Sequence, residues 1–135
     1  MAGGSAMSDA GAGALEVLEA CDGLPRLVVA CDVTTPWEAA AAVFGPQKGA
    51  TPGDVEVLSE KLDEIAATAP RDPRGVARTG AAGGLSGALW AWYCADLVSG
   101  AAYVLDAIGF DAALERASSV VTGEGRIDTQ TLSGK

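Results

Sequence analysis

Residues 26–32 read Arg26-Leu-Val-Val-Ala-Cys31-Asp32, a short apolar β-branched run with a carboxylate just past its end. Without polar alternation, such a run reads as a strand buried on both faces, the kind found in parallel sheets. Upstream, Gly23 and Pro25 punctuate the chain, and residues 11–20 read as a helix with Leu15 and Leu18 facing inward. Downstream, a loop with a short helical piece leads to Phe44-Gly-Pro-Gln-Lys-Gly49. Thr51-Pro-Gly-Asp54 then opens a helix: Thr51 suits the N-cap, Pro52 the first position, and Asp54 the positive end of the dipole. Val55, Leu58, Leu62, Ile65 and Ala69 recur at helical spacing, with Glu56, Glu60, Asp63 and Glu64 on the wet side.

Residues 70–78 are polar and contain proline, which makes them the linker candidate. A glycine loop at 80–84 leads into a helix carrying Trp90, Trp92 and Tyr93, which read as core residues. A second apolar helix spans about 99–108, Gly109 stops it, and Asp111 caps a short helix to Arg116. Residues 118–122 read as another buried strand, followed by Gly123-Glu-Gly-Arg126. Strands alternating with helices imply an α/β fold: a layered sheet of mostly parallel strands with flanking helices.

Composition narrows the chemistry. Of 135 residues, 49% are apolar and 20% charged, which supports a packed core and argues against disorder. The 18 glycines follow no triplet period and imply many tight turns. Nine Lys plus Arg against 18 Asp plus Glu give a net charge of −9. Nucleic acid is thereby excluded as a partner, and an anionic membrane surface is disfavoured. A bound phosphate would need local devices: backbone N–H groups, single cationic side chains, or a divalent metal on carboxylates. Histidine is absent, which removes Ser-His-Asp, Cys-His and His-rich zinc chemistry.

Cys21, Cys31 and Cys94 form no CxxC pair and read as buried, reduced thiols of a cytosolic protein. The opening residues lack the basic flank of a signal peptide. The longest charge-free run, 79–95, is short and broken by Gly80, Gly83, Gly84 and Gly87, so it reads as a glycine loop entering a buried helix and not as a membrane span.

Ligands of α/β sheets collect beyond the carboxyl ends of strands. There Asp32 either caps the next turn or holds a cation or a hydroxyl proton. The loops at 3–5 and 80–84 either pack helices tightly or turn N–H groups toward an anion; neither matches a P-loop or dinucleotide fingerprint. Lys48, in a Pro-Gly loop, is either solvated or neutralises a phosphoryl group, and Arg126 has the same two readings.

Five stretches together resemble the glycerate kinase family. They are GGSAMSD (residues 3–9), ACDV (30–33) with Pro36, VFGPQKGAT (43–51), GAAGGL (80–85) and TGEGRIDTQTLSGK (122–135), in that family's order and approximate separation. The resemblance runs over essentially the whole chain. Members of the family are much longer, so residues 1–135 are expected to be an internal fragment, a partial domain of a two-domain kinase.

The resemblance implies ATP-dependent phosphorylation of a hydroxyl of D-glycerate, with Mg²⁺, in a cytoplasmic enzyme whose site lies in an interdomain cleft. Phosphoryl transfer rests on positioning and charge neutralisation, so a chain without histidine is not handicapped. Carried onto this sequence, Asp9 and Asp32 become candidates for the base or a metal ligand. Lys48 and Arg126 become phosphate or carboxylate contacts, and Lys48 joins the two aspartates as a catalytic candidate. Gly80, Gly83 and Gly84 would cradle phosphates, and Glu124 and Asp128 would hold the metal or the glycerate hydroxyls.

The sequence also departs from the family pattern. Residues 37–43 are shorter than the family's loop and lack its glycines, Thr35 replaces Asn, and Met7-Ser8 and Ala10 replace Thr-Asn and Gly. These changes cluster beside Asp9 and Asp32 and bear on substrate geometry more than on fold. The fragment alone is expected to be inactive. The alternatives are a non-catalytic nucleotide- or anion-binding module, as a homodimer completing its own sheet, and a kinase for another small hydroxy acid.

Overall fold

The computed structural model describes residues 2–3, 5–121 and 123. The apolar run is a strand as expected, β1 (Val28–Cys31), but it is not buried on both faces: Val29 and Cys31 are buried while Val28 is exposed. Its partner is β2 (Asp96–Ser99), parallel to it, in register from Val28 opposite Asp96 to Cys31 opposite Ser99. Beside the end of β1, Ala2 bridges to Cys31, and its N–H donates to the Ala30 carbonyl at 2.7 Å. The N-terminal segment is thereby laid against the carboxyl end of β1.

Three further expectations require correction. β2 is a strand where the sequence pattern suggests none, because Asp-Leu-Val-Ser has polar ends and runs directly into apolar helices. Residues 118–121 form no strand: they are exposed, Val121 at 96%, and among the described residues nothing buries the run's β-branched side chains. All three cysteines are free, but only Cys31 is buried. Cys21 follows the end of the first helix and Cys94 caps the fourth, and both element ends lie at the surface.

The helices are α1 (Ala12–Glu19), α2 (Ala40–Phe44), α3 (Pro52–Thr68), α4 (Leu85–Tyr93), α5 (Gly100–Ala107) and α6 (Phe110–Leu114). Helix α3 starts with a reciprocal cap. The Asp54 N–H donates to Thr51 Oγ1 at 3.2 Å, and the Thr51 N–H donates to the Asp54 carboxylate at 2.9 Å. Its inner face buries Leu62 and Ala66, with Val55, Leu58 and Ile65 packed beside them.

The centre of the core is Trp37, fully buried among Ala40, Ala41, Leu62, Ala66 and Ala88. Small neighbours leave room for the indole, and its Nε1–H donates to the Leu62 carbonyl at 2.9 Å, which satisfies the ring's one polar atom. The Trp37 backbone N–H donates to Thr79 Oγ1 at 2.9 Å. The Thr79 hydroxyl lies 2.6 Å from the Val76 carbonyl and 2.9 Å from that of Pro73. These bonds fix the entry to the glycine loop.

A second apolar cluster lies at the sheet, built from Val29, Cys31, Ala81 and Ala95. Trp90 is only half-buried, and the Arg71 guanidinium stacks 3.7 Å from its ring centre. Among the described residues, no helix is long and apolar enough to cross a membrane.

Candidate functional site

The carboxyl end of β1 opens into a cavity of about 240 Å³. Asp32 enters it directly from the strand. Gly3 and Ser5 come from the N-terminal segment, Gln47 and Lys48 from the 3₁₀ turn Pro46–Lys48, and Gly83 from the turn Ala81–Gly84. Three loops far apart in sequence thus meet at one strand end.

Close backbone approach holds them there. A Cβ on Gly3 would lie 2.6 Å from Asp32 Oδ2, so glycine lets the N-terminal segment pass the carboxylate without displacing it. Gly83 has φ +68, and a Cβ there would fall on the Met7 carbonyl oxygen. The loop at 5–9 lies directly on Gly83, and the Ala10 N–H donates to the Gly83 carbonyl at 3.0 Å.

Lys48 crosses from the 3₁₀ turn to that loop. Its ammonium donates to the Met7 carbonyl at 2.6 Å and to Ser8 Oγ at 3.2 Å. Burial pushes its pKa below the ordinary 10.5, and the nearby Asp9 carboxylate opposes that shift. The partners of Lys48 are therefore two residues at which the sequence departs from the family pattern.

On the other side of Lys48 lies a second cavity of about 420 Å³. Asp54, Leu58 and Lys61 wall it from one face of α3, at helical spacings of four and three residues. Asp9 and Ser8 form another wall. Asp9 also shapes the backbone, because its Oδ1 accepts the Gly11 N–H at 3.0 Å and turns the chain into α1.

Of the residues singled out from sequence, Asp32, Lys48 and Gly83 line the first cavity, and Asp9 and Lys48 the second. Gly80 and Gly84 line neither. The Gly80 N–H is already donated to the Thr35 carbonyl at 3.0 Å, and Gly84 packs against Trp37 and Leu62. Glu124, Arg126 and Asp128 lie outside the described residues. Sequence reasoning misses Ser5, Gln47 and Lys61, which the cavities bring in. Signals for them exist: Gln47 stands next to Lys48 in the same motif, Ser5 ends a glycine pair, and Lys61 shares the Asp54 face of α3.

Chemically, the first cavity sets one carboxylate and one ammonium around a small polar space framed by backbone. That set can accept a hydroxyl proton and neutralise a transferring anion. Among the described residues, no three carboxylate or thiol side chains cluster to cage a metal. A lone carboxylate such as Asp32 still suits Mg²⁺, which takes one or two protein carboxylates and completes its shell with water and substrate phosphates.

Residues 23–135 match the sequence profile of the Glycerate kinase family. The chain belongs to the glycerate kinase family. It is 44% identical over 120 residues to a glycerate kinase of Bacillus subtilis (strain 168), covering 82% of this chain and 31% of that one. It is 36% identical over 170 residues to a glycerate 2-kinase of Escherichia coli (strain K12), covering 98% of this chain and 45% of that one. A crystal structure of a protein assigned as glycerate kinase 2 from Salmonella typhimurium LT2 superposes with a TM-score of 0.76 at 39% identity, over 98% of this chain and 45% of that one. This member of the family therefore spans about a third to under half of the relatives it matches. The mixed α/β architecture, with a parallel sheet flanked by helices, is shared with that structure.

Proposed function

We propose that the chain carries part of the site of an ATP-dependent kinase that phosphorylates a hydroxyl of D-glycerate, giving phosphoglycerate and ADP. The observation that carries this reading is the meeting of Asp32, Lys48 and Gly83 on one small cavity at the end of β1. Its support from outside the chain is the family membership and the names its relatives bear.

In this reading the glycerate hydroxyl oxygen attacks the γ-phosphorus of ATP. A new P–O bond forms, the bond from the γ-phosphorus to the β,γ-bridging oxygen breaks, and ADP leaves with that electron pair. Asp32 takes the hydroxyl proton, and Lys48 balances charge on the phosphoryl oxygens. Two of the ammonium's three hydrogens go to the Met7 carbonyl and Ser8 Oγ, which leaves the third for the ligand. With Asp32 as the base, Asp9 is the described carboxylate that would hold Mg²⁺, with Glu124 and Asp128 as further candidates. Bound there, the ion would supply charge neutralisation of the phosphates. The polar, donor-rich cavity suits a short acid with several hydroxyls, and the reading takes the cytoplasm as the site of the reaction.

Calorimetry of the chain with Mg-ATP and with D-glycerate tests the reading, with ADP release measured beside it. Saturable binding of both ligands is expected, and Lys48→Ala weakens Mg-ATP by about tenfold or more, the scale of one lost charge-assisted contact. Absence of binding for either ligand refutes the proposal. Turnover is not expected from a chain spanning under half of its relatives' length.

A further inference from the structure

The two cavities differ in size and lining, and Lys48 is the one described residue that lines both. We propose that they are separate seats for the two substrates: the smaller for the hydroxy acid, the larger for the nucleotide, with the phosphoryl group passing at Lys48. This rests on the phosphoryl-transfer reading above and adds to it which residues meet which ligand.

Size is the first argument. The larger cavity, about 420 Å³, falls within the ~300–1,000 Å³ typical of cofactor and small-molecule sites, and the smaller, about 240 Å³, falls below it. Lining chemistry is the second. The larger has an apolar bed of Leu58, Ala50 and Ala6, which suits a purine and a ribose edge. The smaller presents Asp32, Ser5 and Gln47, so that a three-carbon polyol acid meets a polar partner on several sides.

Charge is the third argument. Lys61 makes no salt bridge among the described residues and projects from the same face of α3 as Asp54 and Leu58. It lines the larger cavity together with Lys48; Asp9 and Asp54 line it too, but Asp54 is bonded into the α3 cap. A polyphosphate lying there would therefore meet two ammonium groups from separate elements beside one carboxylate able to share a cation with it. Lys61 is thus assigned as a nucleotide contact, and Gln47 as a contact for the acid.

The test uses the chain with three probes: Mg-ATP, adenosine and D-glycerate. Lys61→Ala is expected to weaken Mg-ATP by roughly tenfold and to leave D-glycerate within about twofold. Gln47→Ala is expected to do the reverse. Adenosine should displace ATP without displacing glycerate, and Leu58→Asp should abolish adenosine binding while glycerate still binds, which shows that the variant is folded. Adenosine displacing glycerate, or Lys61→Ala weakening glycerate while sparing ATP, overturns the assignment of the cavities. A wild-type chain that binds neither ligand overturns the kinase reading itself, and this inference with it.

Discussion

Replacing Thr79 by valine keeps the side chain's shape and removes one oxygen. That oxygen accepts the Trp37 backbone N–H at 2.9 Å, and both residues are completely shielded from solvent. Valine leaves the N–H with no acceptor and no route to water. An orphaned buried donor costs about 1–3 kcal/mol, and the hydroxyl's lost bond to the Val76 or Pro73 carbonyl about 1 kcal/mol more. The expected loss is therefore ~2–4 kcal/mol, which for 135 residues at roughly 3–5 °C per kcal/mol lowers the midpoint by about 6–20 °C.

Thr79→Ser is the matched control: it keeps the hydroxyl and removes one methyl, at about 1 kcal/mol. Thermal and urea unfolding followed by circular dichroism and tryptophan fluorescence would rank the three proteins. The valine variant should be the least stable and the serine variant intermediate. A valine variant within about 0.5 kcal/mol of wild type, or one more stable than the serine variant, would refute the hydrogen-bond argument.

Gly83→Ala should cost about 1–2 kcal/mol from the left-handed backbone alone, and should lift the loop at 5–9 off the glycine turn, seen as faster amide exchange at residues 7–10; unchanged exchange would contradict the packing described. Lys48 has a folded-state pKa below that of the unfolded chain, so between the two values the unfolded chain holds more protons and stability rises with pH. Its contribution is complete above the unfolded value of about 10.5 and is lost as pH falls through the folded one, so the stability of wild type relative to Lys48→Met should increase as pH is raised toward 10.5; a flat difference would show that Lys48 is not desolvated. Thiol titration should find Cys21 and Cys94 reacting quickly and Cys31 only on unfolding, because Cys31 is buried and burial raises its thiol pKa; three equally fast thiols would contradict the core as described.

The features legible in the sequence are those written locally. The β-branched run marks β1, and Thr51, Pro52 and Asp54 mark the start of α3, because caps and apolar periodicity act over a few residues. β2 is not legible: four residues with polar ends become a strand only because β1 offers them an edge. Trp37 is not legible as the core's centre either, since its burial depends on alanines from α2 and α4 and on the Leu62 carbonyl of α3. At the site, the VFGPQKGAT motif points to Lys48, but not to its grip on Met7 and Ser8, which comes from a loop about forty residues upstream. The glycine loop reads as one device in sequence. Its members separate in space because Gly80 and Gly84 meet backbone and core while Gly83 meets the cavity.

The parallel pairing of residue 28 with residue 96 sets the order of events in folding. Sequence-distant strand contacts form slowly, because a long intervening loop must close before any bond rewards it, whereas helices such as α3 can form within their own length. During synthesis β1 emerges long before its partner, so Val28 and Val29 spend that interval as an open, sticky template. Slowing translation between these two points would lengthen the interval and favour clumping, while a chaperone that shields extended apolar segments would raise the yield of folded chain.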